Sequence, residues 1–160
     1  VGTAITIALQ TRTAAPRVHA IPRTPARPDA TQPLRVLLVE DEPISQLATA
    51  LMLRKMSHEV ECCGNGRDGV EAVRKGCFDC VLMDIQMPEM DGLEATAAIR
   101  ALDDPARSGL PIVALTAYAL PGDKERFLKA GMDHYVGKPV HNAELELVLS
   151  LIPRRQRPAA

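Results

Sequence analysis

Five polar side chains each come directly after a short apolar run of the sequence. They are Glu40 and Asp41 after residues 34–39, Asp84 after 80–83, Thr116 after 112–115, and Lys138 shortly after 135–136. If these runs are parallel strands of one sheet, their carboxyl ends meet at one edge, where sites in such sheets form. The three carboxylates would then lie close together, and they would repel one another unless a cation were bound.

These residue types suit the binding of a metal ion and a phosphoryl group. A few carboxylate oxygens with room for water favour Mg²⁺. A tetrahedral phosphoryl group would place one oxygen on Mg²⁺, one on Lys138 and one on Thr116, which leaves Asp84 as a carboxylate nucleophile. Each residue alone is a weak indication, since an Asp at a strand end is most often a turn residue. The indication lies in the whole set following successive strands.

The segments between these residues indicate an α/β domain. Apolar runs alternate with helical patterns, and the runs are apolar on both faces, which is typical of a parallel sheet covered on both sides. In the first helix, which begins near Pro43, the spacing of Ile44, Leu47, Ala48 and Leu51 predicts the apolar stripe that faces the core. The other predicted elements are strands at 34–39, 59–63, 80–83, 112–115 and 135–136, and helices at 66–75, around 95–102, at 121–130 and around 145–152.

Composition divides the chain into four parts. Residues 1–10 alternate like a lone strand, a remnant of a domain that has been cut away, and residues 11–33 hold five prolines and predict a linker. Residues 153–160 predict a disordered basic tail. Each end carries a net charge of +3, which leaves −7 on residues 34–152 of a chain whose total is −1. That acidic core and its few aromatic residues argue against nucleic-acid binding, and no run of 18 apolar residues exists to span a membrane.

Four stretches closely resemble the receiver domains of two-component response regulators. They are LLVEDEP at 37–43, VLMDIQMPEMDG at 81–92, ALTA at 114–117 and DHYVGKP at 133–139. The resemblance covers residues 34–152. It implies a flavodoxin-like, doubly wound α/β fold with five helices and a five-stranded parallel sheet in the order 2-1-3-4-5. It also implies a cis Lys138–Pro139 bond. Gly137 departs from the usual β-branched or hydroxyl residue, so we expect a looser last strand.

The resemblance assigns roles in accepting the phosphoryl group, holding Mg²⁺ and switching conformation. The residues are Asp84 as phosphoacceptor, Glu40, Asp41 and the Gln86 backbone carbonyl as further metal ligands, Thr116 as switch hydroxyl, Tyr135 as switch aromatic, and Lys138 as the phosphoryl-contacting lysine. Phosphorylation should pull Thr116 toward the phosphoryl group and let Tyr135 turn inward. Gln86 and Tyr118 should border the path of the hydrolytic water, and Tyr118 should exclude it.

The run QMPEMDGLEAT at 86–96 is typical of receivers in hybrid histidine kinases, and Gly2–Leu9 resembles the last strand of a kinase ATP-binding domain. The resemblance implies that Asp84 takes a phosphoryl group from phosphohistidine and relays it to a histidine phosphotransfer protein. The receiver would supply the catalysis of its own phosphorylation. A homodimer through the 121–130 helix, the last strand and the last helix is a further expectation, as is a cytoplasmic location. A free-standing response regulator and a phosphorylation-independent interaction module stay open.

Two other patterns suggest different chemistry. The glycines of Gly64–Gly69 match G-x-G-x-x-G, but a dinucleotide fingerprint belongs after the first strand, where the acidic residues stand. A haloacid-dehalogenase-type phosphatase needs a second Asp at Gln86, and a flavodoxin needs a hydroxyl-rich loop in place of the acids. Cys62, Cys63, Cys77 and Cys80 include a C-x-x-C, for which zinc is an alternative to structural roles in a reducing compartment.

Overall fold

The computed structural model describes residues 32–117 and 123–154. Strands alternate with helical segments through these ranges, as the hydrophobic pattern predicts. The strands are β1 (Arg35–Val39), β2 (Glu59–Cys63), β3 (Cys80–Asp84), β4 (Ile112–Thr116) and β5 (His134–Gly137). The helices are α1 (Pro43–Lys55), α2 (Gly66–Lys75), α3 (Gly92–Arg100), α4 (Pro105–Ser108), α5 (Asp123–Lys129) and α6 (Asn142–Ser150).

The five strands form one parallel sheet in the order β2-β1-β3-β4-β5, which confirms the predicted order. β1 lies between β2 and β3, with Val39 in register with both Cys63 and Met83. Thr116 at the end of β4 is in register with Gly137 of β5. The register therefore brings the residues that follow β1, β3, β4 and β5 to one edge of the sheet.

Alternate residues of each strand fill two apolar cores, one on each face of the sheet. Leu37, Val81 and Ile112 pack with α2 and α3 on one face. On the other face, Leu38 and Leu82 pack with α1 and α6. Every residue of β3 and β4 is buried, so the strands that end in Asp84 and Thr116 are the most enclosed parts of the sheet.

The prediction for the packed face of α1 is wrong. Ile44, Leu47 and Leu51 are 78%, 58% and 55% exposed. The buried residues of this helix are Thr49, Ala50 and Leu53. α1 has apolar residues on both sides, and the side with Ala50 and Leu53 packs against the sheet, so spacing alone cannot identify the inner face.

The number of helices also differs from the prediction of five, because α4 is a further helix of one turn. Asp104 caps it by accepting a hydrogen bond from Ala106 N, and Pro105 stands at its first position. An Asp-Pro pair is a start signal for a helix, but the short segment carries no apolar periodicity. The predicted 121–130 helix is observed as Asp123–Lys129, and β5 has four residues instead of two.

Three predicted segments outside the domain lie beyond the described residues. They are the strand at 1–10, the linker at 11–33 as far as residue 31, and the tail from residue 155. The described chain begins and ends close together, since Arg154 Nη1 donates a hydrogen bond to Gln32 O. In the same region, His58 Nδ1 accepts a hydrogen bond of 3.2 Å from Leu34 N. No helix in the described ranges is long and apolar enough to cross a bilayer.

One arginine joins α3 to the segment between α5 and β5. Arg100 donates from Nε to Gly131 O at 2.9 Å and from Nη2 to Asp133 at 2.9 Å. Its Nη1 donates to Ser108 O and Leu110 O at 2.6 and 2.8 Å. These bonds lie at the amino end of β4 and β5, opposite the edge where the polar residues meet.

Candidate functional site

Three carboxylates meet at the carboxyl edge of the sheet. One oxygen from each of Glu40, Asp41 and Asp84 lies within 4.8 Å of the others. Glu40 is 1% and Asp84 is 4% exposed, whereas Asp41 is the most exposed of the three. The convergence predicted from the sequence is therefore present, with two of the three acids enclosed by the sheet.

Lys138 reaches into this cluster from the end of β5. Its Nζ lies 2.6 Å from Glu40 Oε2 and 2.7 Å from Asp84 Oδ2. Burial works to lower the pKa of Lys138, but its bonds to the two carboxylates outweigh that effect and raise the pKa above its ordinary value. Burial and the nearby Asp84 charge raise the pKa of Glu40 to about 6, against the opposite effect of Lys138. The ammonium is thus held positive between the two acids.

The donor set fits a small divalent cation. Glu40 Oε1 is buried and accepts no hydrogen bond from the described residues, so it is an oxygen that lacks a partner in the enclosed part of the site. One ammonium cannot balance three neighbouring carboxylates, and a hard cation with oxygen ligands would supply the missing charge. No other group of three metal-ligating side chains occurs in residues 32–117 and 123–154.

The loops at this edge are tied to the strands by specific hydrogen bonds. Gln46 Nε2, from the first turns of α1, donates to Glu40 O at 2.8 Å and to Cys63 O at 3.0 Å. Glu42 turns away and caps α1 by accepting from Ile44 N and Ser45 N. Of the acidic run at 40–42, two residues therefore belong to the carboxylate cluster and the third begins the helix. The role of Gln46 was not predicted, because nothing in its spacing marks it.

Contacts to both carboxylate oxygens and to the backbone carbonyl hold Asp84 in place. Its Oδ1 accepts a hydrogen bond of 3.1 Å from Gln86 N, and its Oδ2 binds Lys138. Gly92, at the start of α3, lies against the Asp84 carbonyl so closely that a Cβ at Gly92 would overlap it. Gly92 N also donates to Ile85 O at 3.1 Å. This glycine is a site-shaping residue that sequence reasoning missed, although it stands in the motif at 81–92.

Thr116 and Tyr135, the predicted switch pair, lie on the neighbouring strands β4 and β5. Thr116 is buried at the end of β4, and its backbone oxygen accepts a hydrogen bond of 2.7 Å from Lys138 N. Tyr135 is half-buried, with its ring centroid 6.2 Å from that of Phe127. Gln86 is exposed next to Asp84, and Tyr118 lies outside the described residues. The predicted cis bond between Lys138 and Pro139 is present.

The competing patterns contribute no second site in the described ranges. A Cβ at Gly66 would lie 2.6 Å from Met90 O. This glycine therefore allows α2 to approach the loop after β3 closely. Cys63 packs on the apolar core and Cys62 is exposed, which places their side chains on opposite faces as expected. Burial raises the pKa of Cys63 to about 11 and that of Cys80 well above its usual range. These thiols have the properties of structural residues.

Comparison with known proteins shows which family the chain resembles. The family model described as "Response regulator receiver domain" matches residues 36–150. The sensor protein GacS of Pseudomonas syringae pv. syringae is 46% identical over 116 residues, which are 72% of this chain and 13% of that protein. The signal transduction histidine-protein kinase BarA of Escherichia coli K12 is 37% identical over 125 residues, or 78% of this chain and 13% of that protein. The chain therefore spans about an eighth of the length of these relatives.

Solved structures show the same similarity. The receiver domain of sensor histidine kinase PA1611 from Pseudomonas aeruginosa PAO1, with a magnesium ion coordinated in the active site cleft, has a TM-score of 0.66 at 41% identity. The match covers 74% of this chain and 95% of that one. The receiver domain of the histidine kinase CKI1 from Arabidopsis thaliana, complexed with Mg²⁺ and BeF₃⁻, has a TM-score of 0.65 at 32% identity and covers 73% and 89%.

Proposed function

The chain belongs to the family of response regulator receiver domains, of the kind found in hybrid histidine kinases, and we propose that it accepts a phosphoryl group on Asp84. The observation that carries this proposal is the placement of the Asp84 carboxylate 2.7 Å from Lys138 Nζ and within 4.8 Å of two further acids. This arrangement holds a nucleophile beside a fixed positive charge, which is what transfer of a phosphoryl group requires.

The reaction we propose is a displacement at phosphorus. An Asp84 carboxylate oxygen forms a bond to phosphorus while the phosphorus–nitrogen bond of a phosphohistidine breaks, and the departing imidazole takes a proton from solvent. Lys138 exchanges its bond to Asp84 Oδ2 for one to a phosphoryl oxygen. The Thr116 hydroxyl donates to a second phosphoryl oxygen, and Gln86 N keeps the other Asp84 oxygen in place.

We assign the metal site to Mg²⁺, with Glu40, Asp41, Asp84 and the backbone carbonyl of Gln86 as the residues that would hold it. The orphan oxygen of Glu40 and the magnesium in the PA1611 receiver support this assignment. When bound, Mg²⁺ neutralises charge on the phosphoryl oxygens during transfer.

The direct test is phosphorylation by a small donor. We expect incubation with Mg²⁺ and acetyl phosphate or phosphoramidate to add one phosphoryl group, detected by intact mass, and EDTA to prevent it. Asp84→Asn should abolish the adduct. A protein that gains no phosphoryl group, or gains it equally with Asp84→Asn, would show that the site does not have this function.

We further propose that the exposed face of α1 receives the phosphohistidine donor and the histidine phosphotransfer protein to which the group passes. Ile44, Leu47 and Leu51 form this face, and Ile44 is three residues beyond Asp41. Any protein that brings a histidine to Asp84 must approach this edge of the sheet. An exposed apolar stripe beside the site gives such a partner a surface to bury.

This surface can be tested by comparing two kinds of donor. Leu47→Ser should slow transfer from a phosphorylated histidine phosphotransfer domain by about tenfold or more, because the complex loses the leucine side chain that the partner would bury. The same variant should react with acetyl phosphate at the wild-type rate. Lys75→Ser, at an exposed position of α2 on the opposite face of the sheet, is the control. If Leu47→Ser slowed the reaction equally with both donors, the α1 face would affect the chemistry at Asp84 and not the binding of the partner.

Two further expectations are kept as proposals. We place the domain in the cytoplasm, and the absence of disulfide bonds among its four cysteines supports a reducing compartment.

We also propose that the surface of α5, β5 and α6 forms a homodimer when Asp84 is phosphorylated. Two leucines on this surface, Leu128 and Leu147, are 38% and 48% exposed. Sedimentation with and without beryllofluoride tests this, and a monomer under both conditions would exclude it.

A further inference from the structure

We propose that Glu144 is a positioning residue for Lys138, acting through the peptide of Gly137. This inference rests on the proposed function, since it concerns the lysine that would contact the phosphoryl group. Glu144 lies in the first turn of α6 and is only 9% exposed. A carboxylate that is so enclosed costs free energy unless it is hydrogen-bonded. Its Oε1 accepts a hydrogen bond of 3.4 Å from Gly137 N.

Gly137 needs this support because it has no side chain to hold it. A Cβ at this position would meet nothing within 4 Å, so open space borders the end of β5. Glycine has the greatest backbone freedom of all residues. The Glu144 carboxylate, which lies on α6, thus restrains the Gly137 peptide, which side-chain packing does not hold in place.

The peptide of Gly137 leads directly into Lys138. Lys138 N donates to Thr116 O at 2.7 Å, and Lys138 Nζ lies 2.6 Å from Glu40 Oε2 and 2.7 Å from Asp84 Oδ2. The backbone of β5 is therefore fixed on one side by β4 and on the other by α6 through Glu144. A small displacement of a catalytic group lowers the rate of transfer substantially. Glu144 accordingly sets where the ammonium stands relative to Asp84.

The test is the rate at which acetyl phosphate modifies Asp84 in the presence of Mg²⁺. Glu144→Ala should be about two- to fivefold slower than wild type, as expected for the loss of one long hydrogen bond. Glu144→Gln keeps an acceptor oxygen and should stay close to the wild-type rate. Glu146→Ala, an exposed position on the same helix, is the control and should not change it. Gly137→Ala, for which there is room, should restore part of the rate in Glu144→Ala by limiting backbone freedom.

A second measurement separates positioning from a loss of stability. The NMR signals of the Lys138 amide and side chain should move in Glu144→Ala and stay in place in Glu144→Gln, in samples that urea unfolding shows to be folded. Wild-type rates in Glu144→Ala, or unmoved Lys138 signals, would overturn the inference. If wild-type protein itself gained no phosphoryl group, the proposed function would fail instead, and the NMR comparison would still decide whether Glu144 places Lys138.

Discussion

Gly92 determines at the scale of one residue whether Asp84 can take its position. A methyl group at Gly92 would overlap the Asp84 carbonyl, so either α3 or the end of β3 must move. Gly92→Ala should cost about 1–3 kcal/mol in urea unfolding, as overpacking does, and should slow phosphorylation of Asp84. Gly64→Ala is the control, because a Cβ there meets nothing within 4 Å. Equal free energies of unfolding for the two variants would show that the end of β3 can move without loss of stability.

The lifetime of the phosphoryl group also depends on single side chains in our interpretation. Tyr118 lies outside the described residues, so its role stays a prediction from the sequence. If its ring excludes the water that would attack in line with Asp84, Tyr118→Ala should accelerate dephosphorylation severalfold, and Tyr118→Glu at least as much. The decay of purified phosphoprotein in saturating Mg²⁺ measures this. Unchanged decay in both variants would remove Tyr118 from the mechanism.

The convergence of the site residues could be predicted from their positions after the strands. Glu40, Asp84 and Lys138 follow three separate apolar runs, and a parallel sheet must bring those ends together. Gln46 and Glu144 could not be predicted in this way, because each acts through a backbone group of another element. Such contacts depend on packing distances, which the periodicity of the sequence does not contain.

At the scale of elements, Arg100 joins α3 to the turn before β5. Its guanidinium bonds three carbonyl oxygens and the Asp133 carboxylate. Arg100→Ala should therefore lower the free energy of unfolding by about 2 kcal/mol, since three carbonyl oxygens and the Asp133 carboxylate lose this donor, although Asp133 still accepts from Ile112 N. Arg107→Ala removes only a surface ion pair with Asp104 and should cost less than about 0.5 kcal/mol. Similar urea midpoints for the two variants would contradict this account.

The predicted switch is a movement of elements. If Thr116 moves toward the phosphoryl group and Tyr135 turns inward, α5 and β5 must change their environment. Amide shifts on addition of beryllofluoride and Mg²⁺ should then concentrate at residues 116–140. Shifts restricted to residues 40–42 and 84–88 would mean that binding stays local and that no switch occurs.

Helix α1 shows where element-scale prediction fails. Its limits follow from Pro43 and the helical pattern, but apolar residues lie on both of its sides, so the pattern does not determine which side packs on the sheet. Ala50 and Leu53 are buried, whereas Ile44 and Leu47 remain outside. Strand order, in contrast, was predictable from the family resemblance, because the motifs fix which strand carries which residue.

For the whole molecule, His58 links stability to pH. Burial lowers the pKa of His58 below 6.5, and the charge of Arg154 acts in the same direction. The unfolded chain therefore binds a proton at higher pH than the folded one, so the stability of the domain falls as pH decreases below 6.5. The neutral Nδ1 accepts from Leu34 N, and Asn offers a similar acceptor that does not titrate.

The measurement is the free energy of unfolding of wild type and His58→Asn at several pH values. Wild type should lose stability relative to the variant as pH falls from about 7.5 to about 5.5. Burial also lowers the pKa of His134, and this contribution is common to both proteins and cancels in the difference. Parallel curves for wild type and His58→Asn would exclude the coupling.

The hydrogen bond between Arg154 and Gln32 has a consequence for protein engineering. The polypeptide arrives at and departs from the domain at adjacent points, on the end of the sheet opposite Asp84. A strand of five residues separates those points from the acidic cluster by about 16 Å. The domain could thus be grafted into a surface loop of an unrelated host without forcing the two stems of that loop apart. Asp84 would then face outward, away from the host.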